Sequence, residues 1–397
     1  MPRRTNTRAT QGCGTIRKKI VKRNGCDYTY WEARVTVGKD LFTGKQIQKS
    51  ISGKTQKEVR DKMQAMLVEV NTGTYTEPSK LTVSEWMDMW IADYLVDVKP
   101  RTLDSYKTTV KVHINPAIGS IKLCSLTTPL VQQFYNSLQR KNPPLSPKSI
   151  KNLHGVLHRA LQQAVDIDYL RKNPANNCKL PRIYKQEIQP LDNDAIIAFL
   201  KAIKGHKFET IYKVTLFTGM REGEVLGLTW DCINFKTGTV TISKQLQKER
   251  GGNGEYHLVS TKNGKIRRLT PAASVMEMLR TQHQQQELMS FAAKELWDNK
   301  MNLVFTNEVG HNLSAQTVYL HFKKLATACG FPNARFHDLR HSYAVAALQS
   351  GDDIKTVHDN LGHHTAAFTL DTYGHVTTQM KIASANRMEK FINSVIC

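Results

Sequence analysis

The second half of the chain carries cationic, imidazole and phenol side chains at points where the neighbouring sequence marks a turn or a helix start. Leu216-Phe217-Thr218-Gly219-Met220-Arg221-Glu222-Gly223-Glu224 reads as the end of an apolar helix, a turn, and a second helix headed by Arg221. Glu224, three residues on, can hold that guanidinium in place. Lys262 stands at the lip of Asn263-Gly264, a hairpin signal whose residues both tolerate positive φ, so its ammonium could reach a substrate from an exposed tip. His337-Asp338-Leu339-Arg340 puts an imidazole and a guanidinium on one helical face. Leu361-Gly362-His363-His364 is followed, ten residues after His363, by Tyr373 in Thr372-Tyr373-Gly374-His375. A planar guanidinium matches two phosphate oxygens where a lysine offers a point charge. The set suits phosphate chemistry.

Such chemistry would have to run without a metal. Ser52-Gly53-Lys54-Thr55 resembles the end of a phosphate loop, but Gln48 stands where the first glycine belongs. No G-x-G-x-x-G follows a strand, and there is no H-E-x-x-H. His337 and His341 form an i, i+4 pair with no third ligand in sight, and no carboxylate cluster resembles a two-metal nuclease site. Neither metal nor cofactor is therefore expected. Bland readings remain beside the chemical ones: Arg221 as a structural partner of Glu224, Lys265 as the working hairpin cation instead of Lys262, and Tyr343 as a competing phenol. His364 and His375 read as bystanders.

The elements that must hold these residues follow from hydrophobic periodicity. Thr239–Ser243, His257–Ser260 and Lys265–Leu269 are β-rich runs that predict a small three-stranded sheet, the last two joined at Asn263-Gly264, among long helices. Upstream, Tyr30–Val37 alternates with Trp31, Ala33, Val35 and Val37 on one face, and Thr15–Val21 and Lys45–Ile51 alternate more weakly. From Thr55 a helical stripe of Val59, Met63, Met66 and Val70 can cover that sheet. The opposite face would display Arg17, Lys19, Arg34, Thr36, Gln46 and Gln48, side chains that bind phosphates and read base edges, or an ordinary solvated sheet face. Four helices follow between Leu81 and Val165, with Arg101, Lys107, Lys111, Lys148, Lys151 and Arg159 mostly off their apolar stripes, where they could track a phosphate backbone. Thr74–Lys80 and Asn173–Glu187 read as linkers.

The division is therefore a sheet-plus-helix domain at 1–78, a helical bundle at 79–186 and a mostly helical domain with a small sheet at 187–397. A formal charge of +22 calls for a polyanionic partner. Residues 1–78 and residues 79–186 each hold 16 Lys/Arg against 7 Asp/Glu, whereas 187–397 hold 24 against 20, so the excess sits in the first half. No window is apolar enough to span a membrane, the basic N-terminus lacks the apolar stretch of a secretory signal, and seven scattered cysteines without a C-x-x-C pair fit a reduced, cytoplasmic protein.

The ordered set resembles the tyrosine recombinases of the phage-lambda integrase type. Their marks are an arginine in T-G-x-R-x-x-E, a lysine on a β-hairpin, an H-x-x-R pair, a second histidine after L-G, and a tyrosine near the C-terminus; here these are Arg221, Lys262, His337, Arg340, His363 and Tyr373. The basic sheet-and-helix N-terminus is similar to the arm-binding domain of integrases from Gram-positive conjugative transposons. The resemblance implies that Tyr373 attacks a phosphodiester and keeps it as a 3′-phosphotyrosyl ester while Arg221 and Arg340 clamp the phosphate. It implies Lys262 as general acid toward the 5′ oxygen, His337 as proton acceptor from the tyrosine, and His363 as a phosphate hydrogen bonder. It also implies double-stranded DNA as partner, a homo-tetramer on a four-way junction, an excisionase-type factor and a host DNA-bending protein. A helical stripe of Ile382, Ala385, Met388, Ile392 and Val395 after Tyr373 would dock on a neighbouring protomer or pack in cis. A type IB topoisomerase, with similar chemistry but little site preference, and a non-catalytic DNA-binding regulator are the alternatives.

Overall fold

The computed structural model describes residues 15–23, 26–39, 44–72, 80–184, 190–249, 254–261, 264–362 and 378–396. The chain divides into two compact units, Met1–Tyr184 and Lys185–Cys397. The first opens on an antiparallel sheet ordered β1 (Ile16–Arg23), β2 (Cys26–Lys39), β3 (Gln46–Gly53). Alternation along β2 buries Ala33 and Val35, which join Ile51 beneath Val59 and Met63 of helix α1 (Gln56–Asn71). Thr55 caps that helix, its hydroxyl accepting the Glu58 N–H at 3.2 Å. The register sets Arg17 opposite Glu32, Arg34 opposite Ser50 and Thr36 opposite Gln48 on the face away from α1. Glu32 departs from the solvated position its alternation predicts: Arg17 and Lys19 approach its carboxylate at 3.0 and 3.5 Å and leave the residue 7% exposed.

A second core belongs to α2 (Val83–Asp93), α3 (Pro100–Thr109), α4 (Asn115–Ile118), α5 (Thr128–Gln139) and α6 (Pro147–Asp166). The predicted stripes are its substance, with Trp86, Trp90, Leu153, Leu157 and Leu161 buried together. Thr82 and Glu85 form a capping box at the start of α2. A single π-helical turn, Val110–Ile114, joins α3 to α4. The expected linker begins too early at Asn173: Ala175 lies in the core, and the Gln132 side chain accepts from the Lys179 N–H at 2.7 Å and donates to its carbonyl at 3.0 Å. Polar side chains made this stretch look solvated, but its backbone is tied down from the bundle.

The second unit carries helices α7 (Asn193–Ala202), α8 (Glu209–Thr218) and α9 (Glu222–Leu226), then strands β4 (Ile233–Asn234), β5 (Thr239–Ile242), β6 (Lys244–Lys248), β7 (Tyr256–Ser260) and β8 (Arg267–Leu269). Helices α10 (Ala273–Ala293), α11 (Ala315–Ala328), α12 (Phe336–Gln349), α13 (Ile354–Leu361) and α14 (Thr378–Ile396) complete it. A three-stranded sheet is present, in the order β4-β5-β8, but β7 is not in it. Strand β7 pairs instead with β6, whose Lys-Gln-Leu-Gln-Lys pattern offers one apolar residue and so left no mark in the periodicity. The Gly264 N–H donates to Thr261 O at 2.9 Å, and the strands on either side of it, β7 and β8, belong to different sheets and do not pair; Asn263 lies outside the described residues. Along α14, Ile382, Met388, Phe391 and Val395 are exposed. Among the described residues no helix is long and apolar enough to cross a membrane.

Trp86 has no exposed surface and donates from Nε1 to Ala160 O at 3.0 Å, joining α2 to α6. Trp86→Ala is expected to destabilise the bundle by about 3–5 kcal/mol, measurable as a fall in the denaturant midpoint of the first unit.

Candidate active site

Four hydrogen bonds converge on one carboxylate. Glu224, 1% exposed on α9, accepts the Arg221 backbone N–H at 2.9 Å and Arg221 Nη1 at 2.7 Å. From β8, Arg267 adds Nη1 at 3.0 Å and Nη2 at 2.6 Å in a two-pronged pairing. Burial is the largest single influence on Glu224 and pushes its pKa up. The Arg267 hydrogen bonds and charge, with the backbone N–H and charge of Arg221, outweigh it and hold the group at about 2. The i, i+3 pairing of Arg221 with Glu224 is as the sequence predicts. The second arginine was not foreseen, although the strand alternation that sets Arg267 on the same face as buried Leu269 marks a charge needing a buried partner.

The arginines meet again at the C-terminal end of α13. Arg267 Nε donates to Asn360 O at 2.8 Å, Arg340 Nη2 to Leu361 O at 2.6 Å and Arg221 Nη2 to Gly362 O at 3.1 Å. These are carbonyls of the helix's last turn and its cap, the negative end of its dipole. Arg340, 1% exposed, also donates from Nη1 to Gly219 O at 2.6 Å, tying α12 to the end of α8. Gly219 caps α8 with φ +66°, and a Cβ there would strike the Tyr343 ring and Leu361. Tyr343 itself is half-buried, its hydroxyl accepting from Asn360 Nδ2 at 3.2 Å, which gives this phenol a packing and hydrogen-bonding role.

His337 stands one turn before His341 on α12, the rings 4.8 Å apart and nearly perpendicular. His337 keeps solvent-facing surface while His341 is buried. Desolvation, then the neighbouring His341 and the charges of Arg340 and Arg221, lowers His337 to about 4. His341 is lowered to about 4 chiefly by desolvation. Both imidazoles are neutral near pH 7, and a neutral His337 can accept a proton. A cleft of about 290 Å³ opens between Arg221, Lys265, Arg267, Arg268, His358 and Gly362. The structure thus brings together Arg221, Glu224, Arg340 and the helix bearing His337, and sets Lys265 on the cleft wall. Lys262, His363 and Tyr373, with His364 and His375, lie outside the described residues.

Residues 187–380 match the phage integrase family, and residues 82–139 match the phage integrase N-terminal SAM-like domain. The chain belongs to the phage integrase family of tyrosine recombinases. A XerC-like tyrosine recombinase of Caldanaerobacter subterraneus subsp. tengcongensis is 29% identical over 370 residues, covering 89% of this chain and 94% of its own. The ICEBs1 integrase of Bacillus subtilis is 23% identical, covering 91% and 97%. Among solved structures, the Tn1549 transposon integrase in complex with a circular intermediate DNA has a TM-score of 0.66 at 20% identity, covering 78% of this chain and 99% of that one. A lambda integrase tetramer bound to a Holliday junction has a TM-score of 0.54 at 17% identity, covering 91% and 96%.

This recombinase is expected to lose stability in acid through the two histidines. The unfolded chain binds protons near pH 6.5 that the folded imidazoles refuse until about 4, so stability falls as pH drops across that window. His341 is buried, and His341→Gln should flatten the acid side of a melting-temperature profile. Glu222 works in the opposite direction. Burial raises its carboxyl to about 7, and among the described residues its Oε1 has no hydrogen-bond partner. Its contribution is present below pH 4.5 and lost as pH rises through 7. Glu222→Gln should raise stability at pH 8 by on the order of 2 kcal/mol and change it little at pH 5.

Proposed function

We propose that this chain is a site-specific DNA recombinase that integrates and excises a mobile element by cutting and rejoining strands through Tyr373. The observation that carries the reading is the convergence of Arg221 and Arg340, 119 residues apart in sequence, on adjoining carbonyls beside a cationic cleft. Two guanidiniums so held can neutralise the non-bridging oxygens of one phosphodiester. The Tyr373 oxygen forms a bond to phosphorus as the bond to the 5′ oxygen breaks, the phenol proton passing to neutral His337 and the leaving oxygen taking a proton from Lys262. His363 adds a phosphate hydrogen bond. The phosphotyrosyl ester conserves the bond for attack by another 5′ hydroxyl.

Three domains serve this reaction, 1–78 on arm DNA, 79–186 on core DNA and 187–397 on the scissile phosphate, a division supported by the separate cores of the sheet-plus-helix segment and the bundle. Arg17, Lys19, Arg34, Gln46 and Gln48 share the sheet face away from α1, and Arg101, Lys107, Lys148 and Lys151 are exposed on the bundle, as contacts to duplex DNA require. The working form is a homo-tetramer on two sites in the cytoplasm, assisted by an excisionase-type factor and a DNA-bending protein. The lambda integrase tetramer on a Holliday junction and the exposed apolar side chains of α14 support that assembly.

On a nicked suicide substrate, the wild-type protein should form a covalent protein–DNA adduct that survives denaturing electrophoresis, and Tyr373→Phe should form none. An adduct with Tyr373→Phe would overturn the assignment of the nucleophile.

A further inference from the structure

Glu224 poses a charge problem that Arg221 alone does not solve. A fully ionised carboxylate bonded to Arg221 Nη1 would cancel the charge that this arginine needs to attract a phosphate. Arg267 supplies the missing cation. It meets both oxygens of Glu224 with its side chain 9% exposed, so its own charge is directed into the protein. Both arginines border the cleft, but Arg221 keeps the larger share of its side chain exposed there, 22%. Counting Arg221 and Arg267 against Glu224, one positive charge is left over to meet a phosphodiester.

The position of Arg267 is equally constrained. Strand β8 pairs with β5, Ile242 opposite Arg267, which fixes the backbone from which the side chain extends. Its third nitrogen donates to Asn360 O, so one side chain spans β8, α9 and the end of α13. Gly362 makes room for it: the residue has φ +62°, and a Cβ there would lie 3.0 Å from Arg267 Cδ and 3.2 Å from Nη1. From Gly362 the sequence continues to His363 and Tyr373.

We propose that Arg267 is a positioning residue of the cleavage reaction, which neutralises Glu224 so that Arg221 presents its full charge to the scissile phosphate, and which fixes the last turn of α13 relative to that arginine. In this role it acts through Glu224 and the end of α13. The inference deepens the recombinase reading and rests on it; formation of a wild-type adduct tests that reading by itself.

The test is single-turnover adduct formation on saturating nicked DNA, with DNA affinity and melting temperature measured in parallel. Arg267→Met should slow the reaction by about 100-fold while the half-saturating DNA concentration changes little. Arg267→Lys keeps the charge but loses the fork and should recover part of the rate. Adding Glu224→Gln to Arg267→Met should raise the rate above that of Arg267→Met alone, because the carboxylate that would otherwise hold Arg221 has lost its charge. A wild-type rate in Arg267→Met overturns the proposal. So does a double variant no faster than Arg267→Met, or a loss of rate that follows the fall in melting temperature and is unrelieved by Glu224→Gln, since a merely structural ion pair behaves in that way.

Discussion

A buried carboxylate with an incomplete set of partners costs several kcal/mol, so a protein that keeps one must surround it with donors. Glu224 is surrounded by a backbone N–H and two arginines. The backbone N–H and one guanidinium belong to Arg221, the residue that precedes α9, and the other guanidinium comes from strand β8. The ion therefore sets the distance between the β4-β5-β8 sheet and the helical layer. Through Arg267 and Arg221 it also sets where α13 ends. Arg340 reaches the same turn from α12 without touching Glu224, so the helix bearing His337 is referred to the same carbonyls.

Two glycines make this arrangement sterically attainable. Gly219 and Gly362 both terminate helices in the left-handed region, at φ +66° and +62°. Each also yields space that a Cβ would fill, to Tyr343 in one case and Arg267 in the other. The T-G-x-R and L-G motifs carry their glycines for these two reasons together, conformational and steric, and at Gly362 an arginine of the site, Arg267, occupies the room so made.

How much of this was legible depended on the range of each interaction. Stripes of period 3.6 marked α1, α2, α5 and α6, and alternation marked β2, because both signals are local. The Arg221–Glu224 pair was legible for the same reason, being one helical turn apart. Arg267 was not, since its partner is 43 residues distant and its strand is paired across the chain with β5. The hairpin expected between β7 and β8 failed on the same ground, because partner choice between two small sheets is a tertiary decision. Asn173–Leu180 was misjudged because backbone bonds to Gln132 have no signature in composition. Glu32 was misjudged because Arg17 and Lys19 cover it from a neighbouring strand.

The acceptors at the end of α13 are main-chain oxygens. Any residue at 360, 361 or 362 supplies a carbonyl, so no side-chain substitution can delete the three atoms that orient Arg267, Arg340 and Arg221. Three of the hydrogen bonds that shape this site thus end on main-chain oxygens of one short helix end. A lineage can change the side chains at 360 and 361 and retain these acceptors, provided the helix still stops at the same place. Insertion or deletion of a single residue in α13 would displace all three oxygens at once, which makes the length of that short helix a stricter inheritance than its composition.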